Sequence, residues 1–219
     1  MNTQENKWKL AQAWELDWHG NCINSFHEEE KQLVYAEKMG LIRTPLPKTP
    51  YNFDLEGKSI LDIGGGAYSL LLKCVNYAVC DEVTVPVKNA EWCKVIDPLM
   101  AKYPRWVRDR YSTAHIHISD EVGESIIGKM IFDEVWIYNV LEHTKEPKKV
   151  IENALELGNI VRIFEWVGTT TNIGHPHSLN KKQLDKWLGG EGKVENISHN
   201  GAVGTAYYGI FVGDKFNGI

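Results

Sequence analysis

The residues in this chain best suited to chemistry stand at the ends of short apolar runs. Ile60-Leu61-Asp62-Ile63 gives way to Gly64-Gly65-Gly66, Asp97 follows the run at 94–96, Asp120 and Glu121 follow 115–118, and Asn139 follows 132–138. A glycine turn lets backbone approach a ligand closely and aims free N–H groups at it. Carboxylates accept hydrogen bonds from hydroxyl and amino groups. His143, His175 and His177 add imidazoles, whose neutral form takes up a proton near pH 7, and each also reads as a hydrogen-bonded structural histidine. His175 and His177 have the spacing of a metal pair, but no third ligand stands near them in the sequence, and no metal is expected.

The elements that must position these groups alternate between strand and helix. Residues 59–63 form a short apolar strand, the glycine turn follows, and a leucine-rich helix runs over 69–75. Further buried strands are expected at 94–96, 115–118, 132–138 and 160–164, with a helix from Pro147 to Gly158. Such alternation argues for a parallel sheet flanked by helices, in which ligands bind outside the carboxyl ends of the strands. Asp62, Asp97, Asp120 and Asn139 would all arrive at that edge. Asn180 and Gln183 cap a helix over 181–188 that Gly189-Gly190 ends. The runs at 194–198 and 206–212 have no helix between them and read as an antiparallel hairpin. The expected fold is α/β: a doubly wound, mixed seven-stranded sheet, mostly parallel, with an antiparallel hairpin at its end. Residues 83–85 compete for the place of second strand, but they end in Pro86-Val87 without an acid. The run ending in Asp97 is preferred, with an extended loop over 80–92.

Ahead of this domain, Trp8, Ala11, Trp14 and Trp18 paint one apolar face on a helix over 7–18, and a second helix over 26–39 stops at Gly40. Pro45, Pro47 and Pro50 make 43–50 an extended linker. Residues 1–50 are therefore expected to be a helical cover and linker on a domain spanning 51–219. Trp18, His19 and Asn24 are the candidates for contact with a second substrate. Over the 219 residues, a hydrophobic fraction of 43% and a charged fraction of 24% are ordinary for a globular chain. A net charge of −5 gives no bulk attraction to phosphate backbones, so nucleic acid is not an expected partner. No apolar run approaches the roughly 20 residues of a membrane span, and residues 1–10 are too polar for a signal peptide core. Cys22, Cys74, Cys80 and Cys93 show no paired spacing and read as reduced thiols, so a cytoplasmic protein is expected. No pattern specifies an oligomeric state.

The segment Ile60-Leu61-Asp62-Ile63-Gly64-Gly65-Gly66 resembles the first motif of class I S-adenosylmethionine-dependent methyltransferases. Trp136-Ile137-Tyr138-Asn139-Val140-Leu141-Glu142-His143 resembles the fourth motif of their small-molecule, type 11-like branch, and Gly174-His175-Pro176-His177 is similar to a segment after the fifth strand there. The resemblance covers residues 59–212. It implies S-adenosylmethionine as cofactor and methyl transfer to a small-molecule or sugar hydroxyl or amine. It places Asp62, Gly64 and Gly66 around the methionine end, Asp97 on the ribose hydroxyls, Asp120 or Glu121 near the adenine amino group, and Asn139 beside the methionyl portion. Two positions depart from the pattern: Tyr68 stands where many relatives have a third glycine, and Asp97 comes later than the roughly 20-residue interval of simple dinucleotide folds. A nicotinamide-dependent oxidoreductase would need glycine where Ser69 stands. A noncatalytic sensor or scaffold that binds S-adenosylmethionine would keep the pocket without turnover.

Overall fold

The computed structural model describes residues 3–20, 25–41, 55, 57–74, 78–80, 83–85, 90–126, 131–199 and 201–214. Its helices are α1 (Thr3–Gly20), α2 (Ser25–Lys38), α3 (Leu71–Cys74), α4 (Arg105–Thr113), α5 (Pro147–Leu157) and α6 (Lys181–Leu188). The strands are β1 (Lys58–Ile63), β2 (Ala78–Cys80), β3 (Val83–Val85), β4 (Ala90–Ile96), β5 (His117–Ser119), β6 (Phe132–Tyr138), β7 (Gly158–Trp166), β8 (Lys193–His199) and β9 (Ala202–Val212). Seven of them form one sheet in the order β5-β4-β1-β6-β7-β9-β8. The first five run parallel, β9 is antiparallel to β7, and β8 is antiparallel to β9. From β1 the chain steps outward through β4 to β5 and then returns to β6 on the other flank. The switch point, where such sheets open a crevice for a ligand, lies between β1 and β6.

Successive side chains of the central strands enter opposite cores, which is why these strands read as continuous apolar runs. Ile60 of β1 and Trp136 of β6 pack with Val34 and Tyr35 of α2, Leu70 and Leu71, and Val107 and Tyr111 of α4. Leu61 and Ile63 face the other way, onto a core completed by Val150, Ile151 and Ala154 of α5 and Leu184 and Leu188 of α6. The sheet is thus covered on both faces. Helix α5 begins with Pro147 in its first turn, and α6 is capped by Asn180, whose side chain accepts the Gln183 N–H at 3.0 Å. Gly189 ends α6 in the left-handed conformation, at φ +67°.

Several local expectations differ from the structure. Val83–Val85 is a strand, but it pairs antiparallel with β2 in a separate hairpin, and the second strand of the main sheet is β4, longer than 94–96. The expected loop over 80–92 therefore contains part of that hairpin. Strand β5 starts at His117, because His115 takes a left-handed turn at φ +55° after α4. Helix α4 itself escapes an apolar-periodicity reading, since Val107 and Tyr111 are its only buried residues. The linker at 43–50 lies outside the described residues. The tryptophan stripe on α1 is less covered than its size suggests: Ala11 is fully buried, but Trp14 and Trp18 remain 37% and 39% exposed.

Candidate cofactor and acceptor pocket

A cavity of about 450 Å³ opens at the carboxyl edge of the parallel strands, within the range of small-molecule sites. One end is walled by Gly64, Gly65 and Gly66, by Asp97 and by Asn139, as the ends of β1, β4 and β6 require. The other end is walled by Trp14, Glu15 and Trp18 of α1, Glu142, His143 and His175.

The three glycines do different things. A Cβ on Gly64 would fall 2.5 Å from a Val140 methyl, so this residue lets the turn pack on the loop after β6. At Gly65 a Cβ would fall 2.6 Å from Asp62 Oδ2. At Gly66 it would project toward Asp97 Oδ2 and the Tyr103 hydroxyl, each 3.7 Å away, and so occupy space at the cavity wall. Gly64 and Gly66 both have positive φ, +76° and +57°. Asp62 lies beneath the turn, fully buried, and accepts the hydroxyls of Ser69 and Tyr138 at 2.5 Å each. Burial pushes its carboxyl up to about 7, against those two hydrogen bonds. The turn is also held from above: the Tyr111 hydroxyl donates to the Gly66 carbonyl at 2.5 Å, and the Tyr138 hydroxyl accepts the Leu70 N–H at 2.9 Å.

Asp97 is only 7% exposed, and its Oδ1 accepts the Leu99 N–H at 2.7 Å. Asn139 adopts φ +54°, a conformation that asparagine tolerates better than most residues, while its N–H donates to the Phe164 carbonyl at 2.8 Å. The following loop hangs on Glu165, whose Oε1 accepts the N–H groups of Val140 and Leu141 at 3.0 Å each. Asp120 and Glu121 do not reach the cavity. Both are exposed, and Glu121 is bound by Lys94 and by the Ser119 hydroxyl. Val122, Gly123 and Glu124 line the wall in their place.

The three histidines separate just as clearly. His143 Nδ1 lies 2.7 Å from the Gly174 carbonyl and 2.8 Å from Glu15 Oε1. Burial alone would lower this imidazole, but Glu15, Glu142 and the Gly174 carbonyl raise it to about 9, which makes it a poor base for a substrate hydroxyl. His175 moves the other way, lowered by burial and by the His143 charge against the pull of Glu142 and Glu15. Its Nδ1 lies 3.1 Å from Asn172 Nδ2. The Asn172 amide orientation is fixed, because its Oδ1 accepts the N–H groups of Gly174 and His175 at 2.8 and 2.9 Å. His177 does not line the cavity, and its Nε2 sits 2.8 Å from the Thr144 carbonyl, a structural contact. Trp18 does line it, whereas the His19 side chain and Asn24 lie outside the described residues.

Sequence reasoning missed several groups here. Gln32, 6% exposed, donates from Nε2 to the Tyr68 carbonyl, while its Oε1 has no partner and belongs to a residue of the cavity wall. A glutamine three and seven residues before Tyr35 and Met39, on the buried face of α2, was the available signal. Gly174 is a glycine because Trp14 lies on it: a Cβ there would fall 2.6 Å from the indole ring.

The chain aligns in structure with several solved proteins, among them two methyltransferases. The N-methyltransferase NodS from Bradyrhizobium japonicum WM9, in complex with S-adenosyl-L-homocysteine, matches with a TM-score of 0.51 at 12% identity, over 83% of this chain and 97% of that one. Magnesium protoporphyrin IX methyltransferase ChlM from Synechocystis PCC 6803, with bound S-adenosylhomocysteine, gives 0.51 at 11% identity, over 97% and 88%. YcgJ from Bacillus subtilis gives 0.52 at 10% identity, over 78% and 71%. The chain has the class I methyltransferase fold. No protein-family model matches it, and no curated protein matches it in sequence. Among the described residues, no helix is long and apolar enough to cross a membrane.

Proposed function

We propose that this protein transfers a methyl group from S-adenosylmethionine to a hydroxyl or amine of a small molecule in the cytoplasm, with residues 1–50 covering a catalytic domain at 51–219. The observation that carries this reading is that one cavity joins a glycine cradle, Asp97 and Asn139 to a second, differently furnished end. A cofactor-only site needs no such extension. The residues present fit the cofactor: the space beside Gly66 is open, Asp97 brings a buried carboxylate to it, and Gln32 Oε1 is an unused acceptor.

When bound, the cofactor supplies an electrophilic methyl on a sulfonium. Gly64 and Gly66 would admit the methionine end, Asp97 would accept from the ribose hydroxyls, Val122 and Gly123 would flank the adenine, and Asn139 would border the methionyl portion. At the far end, Trp14 and Trp18, stacked with ring centroids 5.4 Å apart, would give the acceptor an aromatic wall to lie against. Calorimetric titration with S-adenosylhomocysteine, followed by mass spectrometry of any small molecule that copurifies, tests the reading. Binding is expected; preferential binding of a nicotinamide dinucleotide would replace it with an oxidoreductase.

A further inference from the structure

We propose that Glu142, His143 and His175 form a binding site for a divalent transition-metal ion at the acceptor end of the cavity. One ligand atom from each lies within 4.8 Å of the others. Glu142 Oε1 is 3.8 Å from His143 Nε2 and 3.5 Å from His175 Nε2. With bonds of about 2.0–2.1 Å, ligands of one ion stand roughly 3–3.5 Å apart, so Glu142 is close to its place and the two imidazole nitrogens must approach by about 1 Å to close the set. The two rings are already edge to face, with centroids 4.8 Å apart.

The surroundings hold two of these groups as ligands are held. Glu142 is 2% exposed, and its Oε2 accepts the Thr169 hydroxyl at 3.0 Å, which leaves Oε1 toward the imidazoles. His143 turns Nδ1 to Gly174 and Glu15 and so presents Nε2 to Glu142, the carboxylate–histidine–metal arrangement, in which a bound ion takes the place of the Nε2 proton. All three residues line the cavity, which leaves coordination positions for a ligand. Two imidazoles with one carboxylate suit Zn²⁺, Co²⁺ or Fe²⁺ and disfavour Mg²⁺ and Ca²⁺, which take oxygen ligands. The cation would act as a Lewis acid on an acceptor hydroxyl. The hydroxyl proton leaves to water, the carbon–oxygen bond forms as the carbon–sulfur bond breaks, and the sulfonium departs as a thioether. That use rests on the methyl-transfer reading; the binding site does not.

The arrangement around His175 sharpens the test. Ligation through Nε2 puts the ring proton on Nδ1, where Asn172 Nδ2 now sits at 3.1 Å, so this amide opposes the metal. Asn172→Asp replaces that NH₂ with an oxygen that accepts the Nδ1 proton, while the other oxygen keeps the Gly174 and His175 N–H groups. Full-length protein, stripped with chelator and free of cofactor, is titrated with Zn²⁺ by calorimetry and with Co²⁺ by visible absorption. One ion per chain is expected. His175→Asn, at a side chain 28% exposed, lowers affinity more than about 100-fold without unfolding the protein, and Asn172→Asp raises it about 10-fold. His177→Asn leaves it unchanged. Zn²⁺ binding no tighter in the parent than in folded His175→Asn, or a Co²⁺ spectrum that this variant leaves intact, overturns the site. S-adenosylhomocysteine affinity, measured on the same samples, reports separately on the cofactor reading.

Discussion

Replacing Asp97 with asparagine isolates the part of the site that should recognise ribose. The side chain is 7% exposed, and Oδ1 already accepts the Leu99 N–H at 2.7 Å. Asparagine keeps an oxygen for that contact, so the local turn survives, while the hydrogen bond between Asp97 and the buried Tyr103 hydroxyl weakens, and folding stability should fall by about 1–2 kcal/mol. The second oxygen faces the space beside Gly66, and exchanging it for NH₂ puts a donor where ribose hydroxyls need an acceptor. A hydrogen bond to a charged group contributes about 1.5–3 kcal/mol, so affinity for S-adenosylhomocysteine should fall roughly 10- to 150-fold. Calorimetry on parent and variant reads the affinity, and thermal melting confirms the fold. A folded Asp97→Asn protein that binds within about twofold of the parent would remove Asp97 from the cofactor site, since 0.4 kcal/mol is about all that twofold represents.

Gly64→Ala should cost about 2–5 kcal/mol of stability by chemical denaturation, from the left-handed backbone and from a Cβ forced 2.5 Å from Val140; an unchanged midpoint would mean the turn relaxes freely. Tyr111→Phe keeps the ring but leaves the Gly66 carbonyl and the Ser69 N–H without their partner, a loss of about 1–3 kcal/mol. At roughly 2–4 °C per kcal/mol, the melting temperature should drop accordingly. Glu134 is buried against Arg162, Trp136 and Lys58, and although burial opposes it, these partners hold its carboxyl down at about 2. Its folded value lies below the unfolded one, so the stabilisation, about 3 kcal/mol, is present above pH ~4.5 and is lost as pH falls toward 2. Glu134→Gln should flatten that part of the stability–pH curve, and an unaltered slope would assign acid sensitivity to other groups.

Strand direction in the sheet was legible because buried parallel strands are apolar runs with polar ends, and the absence of a helix before 206 marked the hairpin, whereas the strand order came only with the structure. The hairpin of β2 and β3 was not, since three-residue strands carry too little pattern, and Pro86 argued against one of them. Helix α4 hid behind its arginines: Val107 and Tyr111 alone mark its buried face. In the site, Asp97 and Asn139 could be read from their places at strand ends, because backbone direction alone puts them at the cavity. Asp120 and Glu121 could not be separated from Val122 and Gly123, because which residues of a loop face inward depends on its path. The histidines depended still more on long-range contacts. Glu15, far away in the chain, packs beside His143 and raises its affinity for a proton, and Glu142 and His143, the proposed partners of His175, come from the loop after β6.

The cavity between the glycine turn and the amino-terminal helices is proposed as an S-adenosylmethionine site. Titration of the full-length protein with S-adenosylhomocysteine in a calorimeter, beside the Gly66→Val variant, tests it most directly. A valine at Gly66 fills the space that faces Asp97 and Tyr103. One molecule is expected to bind per chain of the parent, and none detectably to the variant at the same concentrations. Equal binding by both folded proteins, or no binding by the parent, would contradict it.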